Sequence, residues 1–237
     1  MRLNLYFRLK KPELPLEYRR AFLSLLKQSF NRASPDLFST FYETGNTMKP
    51  FTFSVYLPGA TFTGDTIRLK GPDIGLTFST SQPGPAIYFY NSLSKIRFSP
   101  FPLANDNSMT FQRARIVKEH PIKASEAVFK TLSPFFVRVH DSGTNQDSYL
   151  LPEHEDFKRQ FSAICGVMVK ELTGVGGDVE VEPVMLKKVP VRHYGRLLEG
   201  NHGIIKLTGH PEVLTLLFQS GIGSRRSEGF GALERLG

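Results

Sequence analysis

The order of the hydrophobic periodicities along the chain constrains its fold more than any other feature. Residues 3–9 alternate between apolar and polar, which predicts a half-buried strand, and residues 16–30 carry apolar side chains at helical spacing. Ser34-Pro35 predicts the start of a second, short helix, because serine caps helices and proline fits the first helical position. The rest of this half is predicted to contain a helix over 83–95 and strands at 50–57, 66–70, 75–80, 96–103 and 110–118.

The second half repeats this order. Residues 134–140 are predicted to form a strand, and an apolar stripe over 157–172 predicts a long helix that the glycines of 174–177 end. The remaining elements are predicted as strands near 178–188 and 203–208, a helix over 212–219 and a short strand at 230–235. Each half therefore follows a strand–helix–strand–strand–helix–strand order. We expect an α+β protein of two tandem ferredoxin-like domains, residues 1–125 and 126–237.

Charge is distributed unevenly between the two halves. The chain has a formal charge of +8, and residues 1–120 hold 16 Lys and Arg against 8 Asp and Glu, whereas the remainder holds 14 of each. A polyanion such as nucleic acid would explain a basic first half, and ordinary solubility is the alternative. No apolar run approaches the ~18 residues of a membrane span. With one cysteine and no signal-peptide core, we expect a cytosolic protein.

The most specific motif is the stretch 221–231, called the glycine segment below, in which Gly221-Ile222-Gly223 and Gly229-Phe230-Gly231 bracket Arg225 and Arg226. Its spacing and its place between a helix and a strand differ from the Rossmann fingerprint, and the Gly-Lys-Ser/Thr of a P-loop is absent. Successive N–H groups in such a loop can bind an anion, and arginines bind phosphate through charge-assisted hydrogen bonds. The alternative is a tight helix-to-strand turn with exposed arginines.

This segment resembles the glycine-rich loop of the CRISPR repeat-processing endoribonucleases of the RAMP superfamily. Residues 49–54, 132–134 and 203–209 are similar to other parts of the same family in the same order, so the resemblance covers nearly the full length. It implies two tandem ferredoxin-like domains that bind a CRISPR repeat RNA and cut it once per repeat. The RNA-binding residues that it implies in the glycine segment are Gly221, Gly223, Arg225, Arg226, Gly229 and Gly231.

The family's reaction is metal-independent, so no cofactor is expected. The ribose 2′-OH attacks the adjacent phosphate and leaves a 2′,3′-cyclic phosphate and a 5′-OH, which requires a base, an acid and a cation for the phosphorane. In the family, a histidine near the end of the early helices usually serves as acid or base, and a lysine follows. Here no histidine precedes His120, Tyr42 or Glu43 stands in its place, and Lys49 matches the lysine. The resemblance therefore implies catalytic roles for Tyr42 and Lys49, and a member that binds repeat RNA without cutting it is the alternative.

Several other residues are candidates for contact with RNA. Arg113 and Arg115 alternate on the predicted strand 110–118, where one face could follow RNA phosphates. His193 and His202 face either RNA or ordinary hydrogen-bonding partners. No two histidines have the spacing of a metal site, and Cys165 is expected to be a buried thiol. Subunits of a CRISPR effector complex and a second copy of the chain are the other partners that the resemblance allows. A basic two-domain protein with a purely structural glycine segment is the third alternative.

Overall fold

A computed structural model of the chain describes residues 1–45 and 47–236, so Asn46 and Gly237 lie outside the described residues. The chain forms two compact units. The first contains Met1–Lys49 and Ser54–Lys118, and the second contains Pro50–Phe53 together with everything from Glu119 onward. The division into residues 1–125 and 126–237 stays a prediction, and the sequence did not indicate that Pro50–Phe53 belongs to the second unit.

The first half of the chain builds a five-stranded sheet with helices. Its elements are β1 (Arg2–Leu9), β2 (Glu13–Pro15), α1 (Arg19–Ala33), α2 (Pro35–Tyr42), β3 (Phe51–Tyr56), β4 (Thr61–Thr63), β5 (Thr66–Arg68), β6 (Asp73–Thr80), α3 (Pro83–Lys95), β7 (Pro100–Leu103) and β8 (Asn107–Val117). The sheet has the strand order β3-β6-β1-β8-β7, and β2, β5 and β4 form a small separate sheet. Without the edge strand β7, this is the βαββαβ arrangement of a ferredoxin-like domain.

The helices of the first unit form because one face of each can be buried. In α1, Phe22, Leu26 and Phe30 are fully buried at helical spacing. The Phe30 ring lies 6.1 Å from that of Phe89 in α3. At the start of α2 the Ser34 hydroxyl accepts the Leu37 N–H at 3.3 Å, as the serine–proline pair predicts. The three helices predicted for this half are confirmed.

The second half completes the tandem arrangement. Its elements are β9 (Glu126–Thr131), β10 (Val137–Asp141), β11 (Gln146–Leu150), α4 (Phe157–Thr173), β12 (Val179–His193), β13 (Arg196–Gly209), α5 (Pro211–Ser220) and β14 (Leu233–Arg235). The order β12-β13-β9-β14 is again ferredoxin-like, with every pairing antiparallel, and β10 and β11 form a separate hairpin. The predicted fold of two tandem ferredoxin-like domains is confirmed.

The first strand of this second sheet was predicted wrongly. Residues 134–140 were expected to supply it, but β9 pairs with β13 and β14 instead. The apolar run has a different role, because Phe135 and Phe136 are fully buried and Phe135 exchanges two backbone hydrogen bonds of 2.9 Å with Asn201. The run is therefore core packing that leads into the β10–β11 hairpin.

Helix α4 has the predicted apolar stripe and the predicted end. Phe157, Phe161 and Cys165 are fully buried, and the helix stops at Gly174, whose φ of +76° suits a left-handed cap. Burial raises the pKa of the Cys165 thiol to about 11. The prediction of a buried thiol is confirmed.

Candidate nucleic-acid interface

The glycine segment runs from the end of α5 to the start of β14. Its four glycines have φ between +68° and +94°: Gly221, Gly223, Gly229 and Gly231. A Cβ atom at Gly223 would lie 2.5 Å from the Phe136 carbonyl oxygen, and one at Gly231 would overlap the Ile222 carbonyl. Only glycine permits this backbone conformation and this close approach of two backbones.

The amides of the glycine segment are engaged inside the second unit. Ile222 N–H donates to the Gly231 carbonyl at 3.0 Å, and Gly231 N–H donates to Pro134 at 2.9 Å. Ser224 N–H donates to the Phe136 carbonyl at 2.9 Å. These three amides are not available to an anion, so the glycines fix the packing of the segment. The RNA contacts predicted for the four glycines stay a prediction.

The two arginines of the segment point in different directions. Arg226 is 6% exposed, its Nη1 donates to the Ser220 carbonyl at 2.8 Å, and burial lowers the pKa of its guanidinium to about 10. Arg225 is only half-buried, and its φ of +58° is rare for a residue other than glycine. This backbone turn places the side chain of Arg225 at the surface, so Arg225 is the better candidate for RNA, and the contact predicted for Arg226 stays a prediction.

Arg225 lines a pocket of about 710 Å³ that we call the Arg225 pocket. Its walls come from β11, the β12–β13 hairpin and the glycine segment, and its residues are Asp147, Tyr149, His193, Tyr194, Arg196, Leu197, Leu198 and Arg225. The Arg225 Nε donates to the Tyr149 hydroxyl at 3.1 Å, and its Nη2 lies 3.7 Å from an Asp147 carboxylate oxygen. Aromatic walls beside guanidinium groups can contact both the base and the phosphate of a nucleotide.

A buried histidine that lines this pocket is hydrogen-bonded to a partly exposed carboxylate. His193 is 3% exposed, and its Nε2 donates to Glu228 Oε2 at 2.5 Å. Burial raises the pKa of Glu228, but the hydrogen bond from His193 and the charge of Arg225 outweigh it and hold that pKa below its usual 4.5. His193 is thus a positioning residue inside the second unit. Sequence reasoning missed Tyr149 and Asp147, since nothing in their local pattern links β11 to the glycine segment.

The structure brings Tyr42 and Lys49 together. The Lys49 Nζ lies 4.9 Å from the centroid of the Tyr42 ring, and Lys27 of α1 approaches the same ring at the same distance. The Phe38 ring packs 5.3 Å away, and the Tyr42 hydroxyl oxygen is shielded from solvent. This geometry places two ammonium groups close to one tyrosine ring and so gives a cationic site. The catalytic roles of both residues stay predictions.

Arg113 and Arg115 are exposed and lie on one face of the first sheet. They stand opposite Tyr6 and Asn4 of β1 in the antiparallel pairing, and the Arg113 guanidinium lies 4.5 Å above the Tyr6 ring. This face, which bears Asn4, Tyr6, Arg113 and Arg115, is called the open face below. The predicted alternation of the two arginines is confirmed, and their contact with RNA stays a prediction.

Residues 1–45 and 47–236 contain neither a candidate metal site nor a candidate membrane-spanning helix. No group of three or more histidine, cysteine, aspartate or glutamate side chains there could hold a metal ion. No helix in the same part of the chain has the length and apolar character that a bilayer crossing requires.

The fold and these sites define a protein of two tandem ferredoxin-like domains with a glycine-rich segment near its C-terminus. The family model for the C-terminal part of "CRISPR associated protein Cas6" matches residues 117–235, about half of the chain. The chain therefore belongs to the CRISPR-associated Cas6 family, and the resemblance seen in the sequence is confirmed. A search of curated proteins returned no match.

Solved structures share the complete fold. The chain is similar to one described as "An RAMP protein binding different RNA substrates", with 20% identity, a TM-score of 0.87 and full coverage of both chains. A Cas6-related protein from Pyrococcus furiosus has 19% identity and a TM-score of 0.89, with 100% of this chain and 98% of that one covered. A Cas6 product complex has 20% identity, a TM-score of 0.73 and 99% coverage of both chains.

Proposed function

We propose that this chain binds CRISPR repeat RNA and cleaves it as a metal-independent endoribonuclease. The observation that carries the proposal is the match of residues 117–235 to the Cas6 family. Two similar structures are described as an RNA-binding RAMP protein and as a Cas6 product complex, which supports RNA as the ligand.

The open face of the first sheet has the chemistry that single-stranded RNA requires. Exposed arginines neutralise phosphates and release counterions, and the Arg113 guanidinium, which lies above the Tyr6 ring, offers a planar surface on which a base can stack. Asn4 adds an amide whose oxygen already accepts the Thr77 hydroxyl at 3.1 Å, which fixes its orientation. The open face therefore contributes binding energy without demanding one sequence.

The Arg225 pocket is the second RNA contact in this proposal. Arg225 is partly neutralised by Asp147 and by Glu228, whose carboxylates lie 3.7 and 3.5 Å from its Nη atoms. A half-neutralised guanidinium next to tyrosine side chains suits a whole nucleotide better than an isolated phosphate. Arg196 at the rim supplies the additional positive charge.

Lys49 is the residue that we propose to act on the reacting phosphate. The 2′-OH loses its proton to water, the 2′-oxygen bonds to phosphorus, and the bond from phosphorus to the 5′-oxygen breaks. Negative charge grows on the phosphorane oxygens during this step, and a nearby ammonium group stabilises it. Tyr42 could donate the proton that the 5′-oxygen requires only if RNA binding exposes its hydroxyl. Cleavage through orientation and Lys49 alone would be slow, because general acid–base catalysis usually contributes about 10²–10⁴-fold.

A second candidate function is binding of repeat RNA without cleavage. Two observations favour it: no histidine precedes His120, and the Tyr42 hydroxyl is shielded from solvent. Such a protein would protect or deliver the RNA, and it would use the same open face and the same Arg225 pocket.

One experiment separates these functions. The protein is incubated in EDTA with the repeat RNA of its own CRISPR array and, in parallel, with RNA carrying a single 2′-deoxy nucleotide at the cleavage site. Cleavage in EDTA that leaves a 2′,3′-cyclic phosphate and disappears with the deoxy RNA supports the nuclease. Tight binding with both RNAs intact supports the second candidate, and the absence of binding at moderate salt contradicts both.

A further inference from the structure

We propose that His202, Lys130 and Lys187 form a binding site for an RNA phosphate in the sheet of the second unit. The site is separate from the Arg225 pocket, and the proposal rests on the proposed function in that RNA supplies the phosphate. His202 lies on β13, directly opposite Lys187 of β12. Lys130 precedes Thr131 on β9, and the Thr131 hydroxyl contacts the His202 ring.

The hydrogen bonds around Thr131 fix the tautomer of His202. Thr131 is fully buried, its Oγ1 accepts the Gly203 N–H at 2.9 Å, and it lies 2.8 Å from His202 Nδ1. A buried hydroxyl must donate its hydrogen, and Nδ1 is the acceptor that the described residues provide. His202 Nδ1 therefore accepts from Thr131, and the proton of the neutral ring is on Nε2.

The Nε2–H of His202 is open to solvent. It has no hydrogen-bond partner among residues 1–45 and 47–236, and it is not among the enclosed polar atoms that lack one, so solvent can reach it. A neutral imidazole with a fixed N–H is a hydrogen-bond donor, which suits a phosphate oxygen. It does not suit a metal ion, which needs the lone pair of a ring nitrogen.

The two lysines are exposed and uncommitted. Neither Lys130 nor Lys187 forms an ion pair or hydrogen bond with a residue of the described chain, although Glu234 of β14 stands opposite Lys130. Lys206 of the same sheet behaves differently, because its Nζ is held 2.9 Å from a Glu182 oxygen. The positive charge that is free to meet an anion is therefore concentrated at the His202 end of the sheet.

The two ammonium groups also affect the ring directly. Burial, and then the charges of Lys187 and Lys130, hold the pKa of His202 below its usual 6.5. A phosphate between these groups would offset the lysine charges and give the imidazolium an opposite charge, so it would raise that pKa. RNA that only covered the histidine, with no phosphate nearby, would bury the ring and lower its pKa further. The sign of the pKa change therefore distinguishes a bound phosphate from simple burial.

The test measures the pKa of His202 by NMR in the whole protein, with and without repeat RNA that carries the 2′-deoxy block. We expect RNA to raise the pKa by about one unit, in line with a charge partner at close range. In parallel, the affinity for this RNA is measured against salt concentration for Lys130→Ala/Lys187→Ala and for the control Lys206→Ala. The double variant should lose up to two phosphate contacts, so the slope of log affinity against log salt concentration should be smaller by about 1–2. The control should retain the wild-type slope.

The outcomes are distinct. One outcome is that the protein binds the RNA tightly, but the His202 pKa is unchanged or lowered and the double variant and the control have equal salt slopes. This outcome overturns the site and leaves the proposed function intact. Failure of the wild-type protein to bind the RNA at all contradicts the proposed function, and the phosphate site with it. Exposed lysines on strands are tolerant of alanine, and matching thermal unfolding curves will verify that both variants are folded.

Discussion

Replacing Gly223 with alanine tests whether the glycine segment is a packing element. At this position φ is +69°, and the new methyl group would lie 2.5 Å from the carbonyl oxygen of Phe136. That carbonyl also accepts the Ser224 N–H at 2.9 Å, so neither backbone can move without losing a hydrogen bond. The left-handed conformation costs an alanine about 1–2 kcal/mol, and overpacking against a backbone atom costs about 1–3 kcal/mol more.

Gly174→Ala is the matched control for this change. Gly174 has a similar φ of +76°, but nothing lies within 4 Å of the position that its Cβ would take. This variant should therefore lose only the conformational part, about 1–2 kcal/mol. The difference of about 1–3 kcal/mol between the two variants isolates the close approach to Phe136.

The free energies of unfolding are measured by urea titration of the whole chain, followed by circular dichroism and tyrosine fluorescence. Each kcal/mol should also lower the Tm by about 2–4 °C for a protein of this size. Equal losses for Gly223→Ala and Gly174→Ala would refute the packing argument. Greater RNA-binding loss than stability loss in Gly223→Ala would instead favour a direct contact of the segment with RNA.

Three further predictions concern the sites. Lys49→Ala should lower the single-turnover cleavage rate by about 10²-fold. The control Lys27→Ala removes an ammonium group at the same distance from the Tyr42 ring and should change the rate little. Equal effects of the two changes would assign Lys49 to packing. The double change Arg113→Ala/Arg115→Ala should weaken binding of all single-stranded RNAs alike and reduce the salt slope by about 2, and an unchanged slope would remove the open face from the interface. The pKa of Glu228 is lowered on folding, so its stabilising effect is present above pH 4.5 and is lost as the pH falls through the folded-state pKa. The stability advantage of wild type over Glu228→Gln should therefore shrink below about pH 4.5, and a constant difference from pH 6 to pH 3 would contradict this.

Much of the fold could be predicted because local patterns and tertiary packing agree. Ser34-Pro35 starts α2, and Gly174 and Gly221 end α4 and α5 where the sequence indicates. Strand β9 was missed, because its short run of alternating residues competes with the more apolar run at 134–140. An apolar run of this length is expected both for a strand of the main sheet and for a segment packed in the core. The sequence therefore did not show that residues 134–140 lie outside the sheet that contains β9.

The candidate site was less predictable, because side-chain direction depends on tertiary contacts. Arg225 and Arg226 are neighbours with the same chemistry, yet the left-handed backbone at Arg225 exposes one and buries the other. The proximity of Tyr42 and Lys49 follows from their short separation in the sequence. The shielding of the Tyr42 hydroxyl depends on packing that no local pattern encodes.

The segment Pro50–Phe53 has a consequence for folding. The Thr52 hydroxyl donates to the Phe230 carbonyl at 2.7 Å, and the Ser220 hydroxyl donates to the Pro50 carbonyl at 3.1 Å, across about 170 residues of chain. These contacts between distant residues close only after nearly all of the polypeptide has been synthesised, and such pairings slow folding. A fragment that starts at Glu119 would lack the Thr52 hydroxyl that donates to the Phe230 carbonyl. The second unit can therefore complete its packing only with a segment that is synthesised early, before most of its own chain.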